Sequence, residues 1–240
     1  MRYGLALLLS VSCVPMAEAQ SAPARAAQED VEAARDAQVG KALQLIKASQ
    51  AEAGLAELEQ VIRAYEADYA GEKGQIFCAG SPEESLQELA AYAVKGKGRA
   101  IAIGTTWCFA LWAKGFALID LDRLDQAAKS LERAVAMWPM RAQFHSELGY
   151  AYQMLKRRDD ALASYTRSAD LAENLKGDER KHALRVAWYG MGFELIELDR
   201  LDEAEAILVK CLALTPDDEK VAHELQYVRD QQAERKKKAS

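Results

Sequence analysis

The chain has 240 residues, of which 45 are alanine and 28 leucine, against only 23 valine, isoleucine and threonine together. Alanine and leucine lose little entropy in a helix, so this balance predicts a mostly helical chain and argues against a mostly β fold. A net charge of −6 with a pI near 5.3 argues against a general nucleic-acid binder, and five prolines and 14 glycines are too few for a long disordered chain.

Residues 1–19, MRYGLALLLSVSCVPMAEA, read as a signal peptide. Arg2 supplies the positive start, Gly4 to Val14 is an apolar run too short to span a bilayer, and Ala17-Glu18-Ala19 is a small-x-small cleavage pattern. Cleavage is expected after Ala19, leaving 221 residues, an unchanged net charge and a periplasmic location. An uncleaved membrane anchor is the other reading of this segment. Cys13 does not read as a lipidation site, because Ser10 stands where an aliphatic residue is needed. No second apolar run is long enough for a membrane helix, so the mature chain is expected to have no integral span.

Residues 20–34 read as an N-terminal arm and 35–70 as a degenerate helical hairpin. Ala42 and Gly54, twelve apart, are followed by Leu58. Residues 71–105 read as an insert with one helix. Ser81-Pro82-Glu83-Glu84 combines a capping serine, a proline at the first helical position and a glutamate three residues after the cap. Apolar runs at 74–78 and 99–103 flank that helix and could pair as a short β-ribbon, bringing Cys78 toward Cys108. Gly96-x-Gly98 reads as a turn, since the rest of a phosphate-loop motif is missing.

Residues 106–216 carry a repeat. Segments 115–139 and 192–216 are identical at 13 of 25 positions at an offset of 77, and 149–173 is related to the first at an offset of 34. Small residues recur twelve apart, as Gly115/Ala127, Gly149/Ala161 and Gly192/Ala204, each followed four places on by Leu131, Tyr165 or Leu208. This pattern predicts antiparallel helix pairs that cross at the small residues. The bulky residue is expected to fill the space beneath the next unit, and Pro139 and Pro216 to end second helices. One such pair cannot bury its own apolar face, so the pairs must stack into a solenoid. A nine-residue delay before the third unit predicts a longer helix and a turn at Lys176-Gly177-Asp178. Val221, Leu225 and Val228 form the stripe of a capping helix, and 217–240 ends in a basic run read as a frayed tail.

These spacings resemble the tetratricopeptide repeat, with its W-x2-L-G-x2-Y, A-x3-F and P pattern. The third unit matches best, through Trp188, Met191-Gly192, Leu195, Ala204, Leu208 and Pro216. The second has His145 in the tryptophan place and Glu173 in the proline place, and the first has Lys114 where leucine is expected. The layout over most of 30–235 resembles a group of exported bacterial tetratricopeptide proteins that share an insert like GQIFCAGSPEESLQELAAYA followed by TTWCFAL. That resemblance implies an all-α, tetratricopeptide-like solenoid and an exported compartment, but no defined activity.

Three cysteines follow the signal segment, and export permits pairing. Cys211 falls on a predicted buried face, which leaves Cys78 and Cys108 as a bridge or as two free thiols. No Cys/His spacing suits a metal, no cofactor motif is present, and no nucleophile–base–acid set emerges from His145, His182 and His223. A binding role is therefore expected rather than catalysis. In the resembled fold the first helix of each pair lines the concave face, which places Trp112, Phe116, Tyr150, Tyr189 and Phe193 there with Ser146. The groove lacks the Lys/Asn set that clamps C-terminal carboxylates in chaperone-binding members. The expected partner is a helix or extended peptide of another protein, bound in an aromatic groove and belonging to a cell-envelope assembly. Two alternatives stay open: the rings fill their own groove or lie under residues 20–40, or they bury against a twin subunit in a homo-oligomer.

Overall fold

The computed structural model describes residues 22–96 and 98–239; the signal-peptide reading of 1–19 lies outside them. Ten helices and one two-stranded sheet are found among the described residues. Helices α1 (Ala22–Lys47) and α2 (Ala51–Asp68) form a first hairpin. Helix α1 runs without a break through the segment read as an arm, because 22–47 is rich in alanine and contains no breaker beyond Gly40 and the proline in its first turn. Strands β1 (Gln75–Cys78) and β2 (Ala100–Ile103) then flank helix α3 (Pro82–Val94). The strands pair in parallel, with Gln75 opposite Ala100 and Cys78 opposite Ile103, because a helix crosses between them. Ser81 caps α3 by accepting a hydrogen bond from the Glu84 amide at 3.2 Å.

Three hairpins follow: α4 (Thr106–Asp120) with α5 (Leu124–Met137), α6 (Ala142–Met154) with α7 (Arg158–Ala172), and α8 (Gly177–Glu197) with α9 (Leu201–Leu214). The nine extra residues of the third unit extend α8 toward its N-terminus, from a turn where Gly177 has φ +56°. Helix α10 (Glu219–Ala239) covers α9 with Val221, Leu225 and Val228 buried. Its basic end is helical rather than frayed. Arg229 pairs with Glu205, Gln232 donates to Asp202, and Arg235 pairs with Asp199, while the last lysines sit at the negative end of the helix dipole.

All four hairpins turn in the same way. Ser49, Asp122, Lys156 and Asp199 each adopt a left-handed φ of 55–62°, seven residues after Ala42, Gly115, Gly149 and Gly192. The next amide in each case closes on a carbonyl five residues back, as in Gln50 to Leu45 and Arg200 to Leu195. This double-bonded helix end reverses the chain in few residues. The same turn chemistry identifies α1/α2 as a member of the array despite its faint sequence.

The bulky residue of each pair packs over the glycine of its own hairpin and also belongs to the core shared with the next unit, Leu131 with Leu148 and Ala151 and Leu208 with Val221 and Leu225. A Cβ on Gly115 would lie 2.4 Å from Leu131 Cγ, and one on Gly192 would lie 2.6 Å from Leu208 Cδ2. Tyr165 likewise lies against Gly149 and against Gly190 of the following hairpin. Ala127, Ala161 and Ala204 are fully buried at the crossings. Gly192→Ala and Gly115→Ala should each lower stability by roughly 1–2 kcal/mol, because steric overlap in a packed core outweighs the helix-propensity gain. A Cβ on Gly40, in the middle of α1, would meet nothing within 4 Å. Gly40→Ala should therefore raise stability by about 0.5–1 kcal/mol. Chemical denaturation of the three variants checks both signs.

Candidate functional site

The first helices of the hairpins pack on one another in order, α1 on α4, α4 on α6 and α6 on α8, and so line one face of the array. The five predicted aromatic residues lie on α4, α6 and α8, but they do not form one exposed patch. Trp112 stacks on Phe116 and on Phe144, at 6.2 Å between centroids in both cases, and Phe109 meets it edge-on. Phe144 is fully buried, so Trp112 and Phe116 are anchored to the core between α4 and α6. Tyr189 and Phe193 are half-buried and lie beneath guanidinium groups, Arg185 at 4.9 Å and Arg158 at 5.7 Å. Tyr150 alone of the five is exposed, at 42%. Ser146 is buried and hydrogen-bonds Ser168 at 2.7 Å. The face is therefore aromatic and charged rather than aromatic and apolar. Helix α1 forms the first hairpin wall and packs against α2 and against α4, the helix that carries Trp112 and Phe116.

Two carboxylates on this face were missed by the sequence reading. Glu147 stands where the other hairpins have Gly40, Ala113 and Gly190, and Glu194 stands where two of them have Ala117 and Ala151. Such a departure within an aligned repeat is the signal that could have found them. Burial with no cationic partner pushes the Glu147 carboxyl up to about 7. Glu194 is fully buried, and its Oε2 accepts from Arg158 at 3.3 Å while Oε1 has no partner. Desolvation outweighs the Arg158 charge and raises this carboxyl as well.

A carboxyl whose folded pKa lies above its unfolded value costs nothing below the unfolded value. The penalty grows as pH rises to the folded value and is constant above it. For Glu147 that window runs from 4.5 to about 7. Glu147→Gln should stabilise the protein by roughly 1–3 kcal/mol at pH 8, allowing for partial solvent access, and by little at pH 4.5. Thermal melting at the two pH values checks this.

Glu147 borders a cavity of about 260 Å³ built where the chain leaves its repeat. Met140, Arg141 and Ser146 line it from α6 and the turn before α6, and Glu179, His182 and Val186 from the extended α8. Glu84 of the inserted α3 closes one side. The Arg141 guanidinium lies over the Phe109 and Trp138 rings, at 5.8 and 5.4 Å.

The sulfurs of Cys78 and Cys108 are bonded, fixing the end of β1 to the first turn of α4, with 6.3 Å between Cα atoms. Cys211 is a buried thiol pushed up to about 11 by that burial, which makes it unreactive. His145 is buried against the Pro139 carbonyl at 3.0 Å, whereas His182 and His223 are exposed. Among the described residues no group of three His, Cys, Asp or Glu side chains could hold a metal ion, and no helix is long and apolar enough to cross a membrane.

Residues 186–218 match the tetratricopeptide repeat family model. No curated protein matches the chain. A Podosopora anserina structure of nearly identical TPR-like repeats is similar to it with a TM-score of 0.55 and 15% identity, covering 84% of this chain and 88% of that one. A structure of MamA MSR-1 is similar with a TM-score of 0.53 and 19% identity, covering 83% and 87%. At these identities the likeness concerns the fold. The repeat spacing, the common turn, the glycine contacts and the match over 186–218 together make this chain a tetratricopeptide repeat protein.

Proposed function

We propose that the protein is a non-catalytic interaction scaffold of the periplasm that binds a peptide or helix of a partner protein, within a cell-envelope assembly, along the face formed by α4, α6 and α8. The observation that carries this reading is Tyr150. It stands 42% exposed in the middle of a row whose neighbours are all anchored by rings or arginines. An exposed tyrosine on a rigid, partly charged floor offers apolar area and a hydroxyl with little entropy to lose on binding. Arg158 and Arg185, over the Phe193 and Tyr189 rings and paired with Glu194, Glu197 and Asp218, hold the α8 part of the row rigid.

Selection of binders from a displayed random-peptide library tests this. Tyr150→Ala should weaken the selected peptides at least about ten-fold, as expected for an aromatic anchor. Val209→Ala, at a 43%-exposed position on α9, should leave them unchanged. Peptides indifferent to Tyr150→Ala would place binding elsewhere.

A further inference from the structure

We propose that the cavity between α6, α8 and α3 receives the lysine or arginine side chain of a bound peptide, with Glu147 as its counter-ion. This rests on the groove reading above and adds the chemistry of one subsite to it.

Both segments in which the chain departs from the repeat meet at this cavity. The insert brings Glu84, and the additional turns of α8 bring Glu179, His182 and Ala183. At about 260 Å³ it lies below the roughly 300–1,000 Å³ that drug-sized ligands fill, so it suits one long side chain. Met140, Leu175 and Val186 supply apolar wall for the methylene stem of such a side chain.

The polar groups decide the charge of the occupant. Glu84 already accepts the Gly80 amide at 2.6 Å, and Glu179 faces Arg141 at 3.8 Å. Arg141 lies over the Phe109 and Trp138 rings and faces Glu179, with its Nε left without a hydrogen-bond partner. Among the described residues Glu147 has no hydrogen bond or ion pair, although it replaces a glycine or alanine of the other hairpins. An ammonium or guanidinium entering the cavity would give that carboxylate the partner it lacks. An anion would meet three carboxylates, Glu84, Glu147 and Glu179, against the single arginine Arg141. The groups facing Glu147 are Arg141 at the N-terminal cap of its helix, Glu179 and His182 on α8, Glu84 on α3 and Tyr165 on α7. Burial raises the Glu147 carboxyl to about 7, so a cation that pairs with it should displace a proton and bind better as pH rises.

Nuclear magnetic resonance titration with Nα-acetyl-lysine methylamide tests the assignment, with the norleucine analogue as the apolar control. The lysine probe should shift Glu147 and Val186 signals saturably and bind at least about ten-fold more tightly than norleucine at pH 8. That preference should vanish in Glu147→Gln, and lysine binding should fall by more than about ten-fold between pH 8 and pH 5.5. Equal binding of the two probes, or lysine binding unchanged by Glu147→Gln, overturns the proposal. Failure here is separable from failure of the groove reading. Selected peptides that need Tyr150 but not Glu147 sink the subsite alone, whereas peptides that ignore Tyr150 sink the groove whatever the lysine probe does.

Discussion

Arg158→Ala should destabilise the protein by roughly 3–5 kcal/mol at pH 8 and by clearly less at pH 5. Arg158 is the cation that meets Glu194, a carboxylate with no exposure at all, and it also pairs with Glu197 at 2.7 Å. Without the guanidinium, Glu194 is left charged in the core or must take up a proton. Its carboxyl is already raised in the intact protein. Losing Arg158 raises it further, so the stability penalty grows with pH above the unfolded carboxylate value. Glu194→Gln alone should cost little, and the double variant Arg158→Ala/Glu194→Gln should recover most of the loss. Denaturation of the four proteins at both pH values forms the cycle that checks it. The sequence supports the coupling: Arg158 stands where the flanking repeats have Leu124 and Leu201, and Glu194 where the two preceding repeats have Ala117 and Ala151. Both departures from the repeat are explained by one pair.

Removing the Cys78–Cys108 bridge with a double serine variant should cost roughly 3–4 kcal/mol, the chain-entropy value for a loop closed over a separation of 30 residues. The other anchors of the insert are on its strands, where β1 packs against α5 and Ile76 and Ile103 pack against the main core. Helix α3 packs on its two strands, buries only Glu88 and leaves Leu86 71% and Val94 89% exposed. Loss of the bridge should therefore speed amide exchange over 75–103 most, while α6 to α9 keep their protection. The Glu84 wall of the cavity moves with the insert, so the bridge also holds part of the candidate site. An oxidising compartment would keep it formed.

The architecture was legible because its cause is periodic. Glycine at 115, 149 and 192 and the residue sixteen places later recur at fixed intervals, and the overlaps a Cβ would create at those glycines explain why. The first hairpin was faint because Ala42 and Gly54 exchange small residues for each other and its motif aromatics are absent. Its turn at Ser49 restores the equivalence only once backbone angles are known. The strand pair was anticipated as extended runs, but parallel pairing follows from α3 lying between them.

The candidate site was legible only in part. Trp112, Phe116, Tyr189 and Phe193 were placed on the correct helices, yet their exposure depends on neighbours that no local pattern announces. Phe144 comes from the next hairpin, and Arg158 from the start of α7. Glu147 and Glu194 were overlooked because acidic residues on helices usually face water. Only alignment of the repeats shows that the other hairpins have glycine or alanine in the place of Glu147 and that two of them have alanine in the place of Glu194. Gly190 escaped notice because its contact, Tyr165, belongs to the preceding unit.

A photo-cross-linking amino acid placed at Tyr150, and separately at Val209, tests the working-face claim in living cells. Both positions are exposed to a similar degree, at 42% and 43%, but only the first lies on the face formed by α4, α6 and α8. Cross-links to a second protein from position 150 and none from position 209 are the predicted result. Equal yields from both positions, or cross-links only from 209, would contradict it.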